Sequence, residues 1–202
     1  MRNNNIKIGI LSLQGNFHTH SQCLEKIGID SIFIDTPNKL KLVDGLIIPG
    51  GESGVLLKHF ERNPLWIEKI NDFNNQQKPI LGTCAGIILL AKKVIPEQFS
   101  FGFLDISVIR NAYGRQLQSK NDMVTFSLDH QETSVMVSFI RQPKIDLIND
   151  KAIEIIACCQ NEIVGVKKGH LLALTCHPEY TTTLLHQSFI KEVINQKSLR
   201  TA

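Results

Sequence analysis

The sequence predicts an α/β fold built on a mainly parallel central sheet with an antiparallel extension. Three observations carry this. Short apolar runs alternate with helical patterns through the first half of the chain. The strands there are near-continuous in apolar residues, as strands buried on both faces are. The second half changes to strands with little helix between them. In order, residues 6–11 read as a strand, followed by a Gln14-Gly15 turn and a helical stretch to about residue 27. Residues 31–34 and 45–48 are the second and third strands, the latter stopped by Pro49-Gly50-Gly51. Helical segments follow, clearest over 65–73, where Ile67, Ile70 and Phe73 recur at helical spacing. Residues 79–82 form a fourth strand and 87–93 the helix after it. Strands are then expected at 103–109, 123–128, 133–140, 153–158, 163–166 and 171–175, with a final helix over 184–194. There is no internal repeat, low-complexity tract or linker, so residues 1–202 read as one domain.

Composition narrows the function classes. Of the residues, 43% are hydrophobic and 20% charged, the balance of an ordinary globular protein. The formal charge of +3 comes with Lys and Arg scattered along the chain, which gives no basic stripe for nucleic acid. No apolar run approaches the ~20 residues of a membrane span. The five cysteines are an odd number behind a polar start, which points to thiols in a reducing cytoplasm rather than to a disulfide framework.

One of those thiols stands out. Gly82-Thr83-Cys84-Ala85-Gly86 joins an apolar strand to a helical run, the form of a nucleophile elbow. An elbow residue sits in a strained backbone conformation, and the flanking glycines allow tight strand–helix packing. The sulfur is then presented at the carboxyl end of the sheet, where open α/β sheets bind ligands. It also lies at a helix N-terminus, whose dipole favours a thiolate and whose free N–H groups can hold an oxyanion. The pentapeptide alone fits a buried structural cysteine equally well. It needs a base.

A base is available at His177-Pro178-Glu179, which ends the apolar strand 171–175. Cys–His pairs meet in the fold rather than in the sequence, so their separation is no obstacle. Glu179 can accept the other imidazole N–H and fix tautomer and angle, as the acid does in serine triads. The same tripeptide alone would read as a surface turn; paired with Cys84 it reads as catalytic. The remaining histidines, His18, His20, His59, His130, His170 and His186, lack such an arrangement. His18 and His20 read as surface or interface groups. No Cys/His set has zinc-site spacing, and the strand-borne Cys158-Cys159 pair reads as core.

At Gly82–Gly86 and His177–Glu179 the chain resembles the class I (triad) glutamine amidotransferases. Further segments narrow the resemblance to the glutaminase subunit of pyridoxal 5′-phosphate synthase. They are Leu13-Gln14-Gly15, Pro49-Gly50-Gly51-Glu52-Ser53, Arg110-Asn111-Ala112-Tyr113-Gly114-Arg115-Gln116 and Phe139-Ile140-Arg141. The Arg-Asn-aromatic-Gly-Arg-Gln string is the most specific of these. The marks run from residue 13 to 179, nearly the whole chain. Three positions depart from the family pattern: Gly54 where Thr is frequent, Thr19 where Glu precedes the histidine, and Gln142 where Ala stands in Ile-Arg-Ala-Pro.

The resemblance implies a three-layer α/β/α, flavodoxin-like fold and hydrolysis of L-glutamine to glutamate and ammonia, without metal or cofactor. It implies a (β/α)8-barrel synthase as partner, which receives the ammonia through a protein tunnel. The synthase combines it with a pentose phosphate and a triose phosphate to make the vitamin B6 cofactor. By motif position, Gly51, Glu52, Ser53, Arg110, Ile140 and Arg141 would contact glutamine. Gly51 and Ala85 are the candidate oxyanion donors, and Gln14-Gly15 is where partner contacts would align a further one.

Overall fold

The computed structural model describes residues 6–113, 120–140 and 142–201. Its strands are β1 (Ile8–Leu11), β2 (Ser31–Ile34), β3 (Gly45–Ile48), β4 (Ile80–Thr83), β5 (Ala91–Ile95), β6 (Leu104–Ile109), β7 (Lys120–Leu128), β8 (Gln131–Phe139), β9 (Lys144–Ile148), β10 (Glu154–Cys159), β11 (Glu162–Lys168) and β12 (Leu171–Leu174). Its helices are α1 (Phe17–Lys26), α2 (Ser53–Arg62), α3 (Leu65–Asn75), α4 (Ala85–Leu90) and α5 (Leu184–Thr201).

Nine strands form one sheet in the order β2-β1-β3-β4-β12-β11-β10-β7-β8. The first five run parallel, and the last four continue antiparallel. The parallel strands β1, β3, β4 and β12 are buried at every residue, because helices cover both of their faces. Alternate residues of β3 show this directly. Leu46 and Ile48 face a core made with α2, α3 and α4, whereas Ile47 faces one made with α1 and α5. The result is the expected α/β/α layering. The antiparallel strands β7 and β8 are two-faced, with Val124, Phe126, Val137 and Phe139 inward and Met123 and Met136 exposed, as period-2 alternation requires.

One expectation needs correction, and one strand is additional. The apolar stretch 87–93 is not one helix: α4 ends at Leu90, and Ala91–Ile95 is a strand paired in parallel with β6. Short apolar runs do not distinguish helix from strand by period. Pairing decides here, since Ala91 and Val94 are buried while Lys92 reaches Asp105 of β6 at 2.7 Å. Lys144–Ile148 is also a strand, β9, antiparallel to β6. With β5 and β6 it makes a separate three-stranded sheet beside the α2–α4 core.

Candidate active site

Two neighbouring strands bring the distant residues together. β4 and β12 are paired in parallel, with Thr83 opposite Leu174, so both chains leave the sheet at the same edge. Adjacent strands lie ~4.8 Å apart, and this single spacing closes the sequence gap between the residues that follow them. Cys84 is the first residue after β4 and stands at the N-terminus of α4. Its backbone N–H donates to the Leu174 carbonyl at 2.8 Å. Its φ is +49° and ψ −101°, a conformation that side chains other than glycine rarely adopt. The elbow is held by close packing. A Cβ on Gly86 would lie 2.4 Å from the Ile48 carbonyl oxygen, and one on Gly82 would lie 2.8 Å from Gly86.

His177 is fixed through backbone and ring. Its N–H donates to Ser138 O at 3.0 Å in an isolated antiparallel bridge. Its ring Nδ1 lies 2.7 Å from Glu179 Oε1, and both residues are buried. Cys84 lies beside it, and the two side chains flank one backbone point. A Cβ placed on Gly50 would lie 2.3 Å from His177 Cε1 and 3.0 Å from Cys84 Cβ. Burial works against a charged imidazole, but contacts with Cys84 and Glu179 outweigh it and hold the His177 pKa well above its ordinary value. Burial likewise opposes the Glu179 carboxylate, which His20 and His177 keep ionised, with its pKa below the usual range. A thiol, an imidazole and a carboxylate in this order can deliver a nucleophile and shuttle a proton.

This cluster opens on a cavity of about 490 Å³. Cys84 and His177 line it, as do Gln14, Gly15, Gly51, Glu52, Ser53, Arg110 and Ile140. Of the remaining sequence candidates, Ala85 is fully buried at the start of α4 and Glu179 lies behind His177. Arg141 lies outside the described residues, and so do Gly114, Arg115 and Gln116. Ile140 brings its backbone carbonyl 3.8 Å from Cys84 Sγ. Ser53 donates its hydroxyl to Gln98 Oε1 at 3.2 Å.

Two glycine-bearing loops interlock at the cavity rim. The Asn16 N–H donates to Gly50 O at 3.2 Å, and the Glu52 N–H donates to Gln14 Oε1 at 2.9 Å. Gly51 has φ +149° and Gly15 φ +85°. A Cβ at Gly51 would strike Gln14 Oε1 and one at Gly15 would strike Gly50 O, each within 2.1 Å. Only glycine fits either place. Asn16 also reaches the triad, its side-chain amide donating to Glu179 Oε1.

Sequence reasoning missed the groups beneath the triad. His20, read as a surface residue, is fully buried, and so is His186. His20 Nδ1 lies 2.9 Å from His186 Nε2, and its Nε2 lies 3.1 Å from Thr83 Oγ1 and 3.6 Å from Glu179 Oε1. Helical spacing was the signal that could have found them. His20 falls on the α1 stripe with Cys23 and Leu24, and His186 precedes Phe189, Ile190 and Val193 on the buried face of α5. Cys23 donates its thiol to the Glu179 carbonyl at 3.0 Å. Cys158 and Cys159, expected in the core, are only partly buried.

A strained elbow cysteine beside a carboxylate-bound histidine, on a parallel α/β sheet, has the form of a triad-type glutamine amidotransferase. The comparisons agree with that class and refine it. The family model of the SNO glutamine amidotransferases matches residues 10–195, and the chain belongs to that family. It is 40% identical over 195 residues to the pyridoxal 5′-phosphate synthase subunit PdxT of Thermotoga petrophila, covering 93% of this chain and 100% of the relative. It is 42% identical over 195 residues to the PdxT of Koribacter versatilis, covering 96% and 98%. A solved structure described as a glutamine amidotransferase superposes with a TM-score of 0.83 at 32% identity, covering 92% of this chain and 98% of that one.

Proposed function

We propose that this chain hydrolyses L-glutamine to glutamate and ammonia as the glutaminase of a pyridoxal 5′-phosphate synthase, with Cys84, His177 and Glu179 as its catalytic residues. The observation that carries the residue assignment is the placement of a strained Cys84 beside a buried His177 whose Nδ1 is bound to Glu179 at 2.7 Å. Cys84 thiolate attacks the side-chain amide carbon of glutamine. His177 protonates the departing ammonia and then activates the water that hydrolyses the glutamyl thioester. Glu179 holds the imidazole in the tautomer this requires. Backbone N–H groups at Gly51 and Ala85 stabilise the oxyanion, an effect worth ~3 kcal/mol per donor in other hydrolases. Glu52, Ser53, Arg110, Ile140 and Arg141 bind glutamine at the cavity, the arginines taking its α-carboxylate or ordering the loops around it.

The partner is a (β/α)8-barrel synthase that takes up the ammonia, and the complex works in the cytoplasm, in keeping with the free thiols of the chain. Partner contact at Gln14-Gly15 raises glutaminase activity, because this loop is bonded to both Gly50 O and the Glu52 N–H and so sets the oxyanion peptide. Gln14 Nε2 is buried without a hydrogen-bond partner among the described residues. Glutamate release, measured with and without the synthase for wild type and Cys84→Ala, tests the whole reading. Stimulation of wild type by the synthase and loss of release in the variant are expected. Wild-type release by Cys84→Ala would end the residue assignment, and full activity of the chain alone would end the activation.

A further inference from the structure

We infer that His20 is a positioning residue of the glutaminase reaction, tying the Glu179 carboxylate to the elbow strand through an imidazole pair with His186. The inference rests on Cys84, His177 and Glu179 being the catalytic residues. The contacts fix its chemistry. His20 Nε2 stands between Thr83 Oγ1 at 3.1 Å and Glu179 Oε1 at 3.6 Å. A lone pair there would face a carboxylate oxygen, whereas an N–H donates to the hydroxyl and turns its positive end to the carboxylate. Nε2 therefore carries the proton. Nδ1 is then an acceptor, and its partner His186 Nε2 at 2.9 Å must be the donor. That leaves His186 Nδ1 as a bare acceptor, and it is indeed the ring nitrogen with no partner. An orphaned acceptor is tolerated more readily than an orphaned N–H, so neither ring is left with a buried unpaired N–H.

The pair has a route to the reacting atoms. Thr83 immediately precedes Cys84, and its Oγ1 also accepts the Gly50 N–H at 3.2 Å. One imidazole N–H thus holds the elbow strand, the Gly50 peptide and the triad carboxylate in mutual register. Both histidines are fully buried, so water cannot replace either bond. Burial also pushes both imidazoles below their ordinary pKa, His186 to about 3, which keeps the pair neutral.

The test compares His20→Ala, His20→Asn and His20→Gln in complex with the synthase, each checked for folding by circular dichroism. A glutamine side chain can place an N–H where Nε2 stood; an asparagine cannot. His20→Ala and His20→Asn should lose ~10- to 100-fold in kcat, the range typical of residues that orient a reactive group, with KM for glutamine little changed. His20→Gln should recover part of that loss. Equal kcat in the Gln and Asn variants, or a loss confined to KM, would overturn the inference. A second measurement needs no variant. Histidine ¹⁵N spectra of the wild-type chain should show His20 and His186 both protonated at Nε2, and a proton on His20 Nδ1 instead would also overturn it. Cys84→Ala, run alongside, separates the two levels. If it is inactive and His20→Ala is normal, only the role of His20 falls; if it is active, the catalytic assignment itself falls.

Discussion

Gly50→Ala is the sharpest perturbation the site offers, since it adds one methyl group and removes nothing. The new Cβ would lie 2.3 Å from His177 Cε1 and 3.0 Å from both His177 Nδ1 and Cys84 Cβ. Unbonded carbons rest ~3.5–4.0 Å apart, so the imidazole must retreat by more than ~1 Å. It has little freedom to do so, because its ring is bonded to Glu179 at 2.7 Å and its backbone to Ser138 at 3.0 Å. A displacement of ~1 Å in a catalytic group costs about 100-fold in rate, while overpacking a dense region costs ~1–3 kcal/mol of stability. We therefore expect Gly50→Ala to fold, to melt several degrees lower, and to lose about 100-fold in kcat. Glutamate release in the presence of the synthase, with a thermal melt of the same sample, measures both. Gly54→Ala is the control: it is exposed on α2 with nothing within 4 Å of the added carbon. It should stabilise the helix by ~0.5–1 kcal/mol without such a loss in rate. A folded Gly50→Ala enzyme within about threefold of wild type would show that the His177 position is not critical at the ~1 Å level.

Thr83→Val removes the hydroxyl that accepts both the Gly50 N–H and the His20 ring. Each buried group left unpaired costs ~1–3 kcal/mol, so chemical denaturation should show a loss of at least that size. Wild-type stability would mean the hydroxyl organises nothing. The pH dependence of unfolding has a defined sign below neutrality. His20 and His186 have folded pKa values lowered by burial, His186 to about 3, so the unfolded chain takes up protons that the folded one refuses. Stability from each is complete above its unfolded pKa of ~6.5 and is lost below it, for His186 at ~1.4 kcal/mol per pH unit. His177 is charged in both states below ~6.5 and adds nothing to this window, since its folded pKa is raised. Unfolding free energies from pH 6.5 to 5 should show that fall in wild type and a slope shallower by one proton in His186→Phe. An unchanged slope in the variant would contradict a neutral buried His186.

Most of the parallel half was legible because burial on both faces forces unbroken apolar runs. The second and third strands, 31–34 and 45–48, coincide with β2 and β3. The same logic failed at 87–95, where Leu-Leu-Ala continues an apolar helix into a strand and only the distant partner β6 decides the boundary. β9 was missed because Lys144 and Asp146 interrupt a five-residue segment that pairing to β6 alone makes a strand. At the site, Cys84, His177 and Glu179 stand in motifs whose local chemistry is recognisable. The departures from the family pattern show what local reading omits. Gln142 is buried and donates to Thr175 Oγ1 at 3.1 Å, a contact between segments that no neighbour in sequence announces.

His20 shows the same limit in energetic terms. As an isolated residue near a helix start it looks like a solvated group, and a solvated histidine would charge in part near neutral pH. Charged beside Glu179, it would compete with His177 for the same oxygen, since His20 Nε2 and His177 Nδ1 approach Oε1 at 3.6 and 2.7 Å. Burial removes that competition. With His20 and His186 held neutral, the nearest full positive charge to Glu179 is the His177 imidazolium, and His20 contributes only the dipole of one N–H. The carboxylate is thereby bonded directly to the imidazole proposed to move a proton, while His20, whose proximity also favours the ionised carboxylate, stays neutral. This division depends on a dry interface between α1, α5 and the sheet. Core substitutions there that admit water, without touching any triad atom, should therefore lower kcat more than KM.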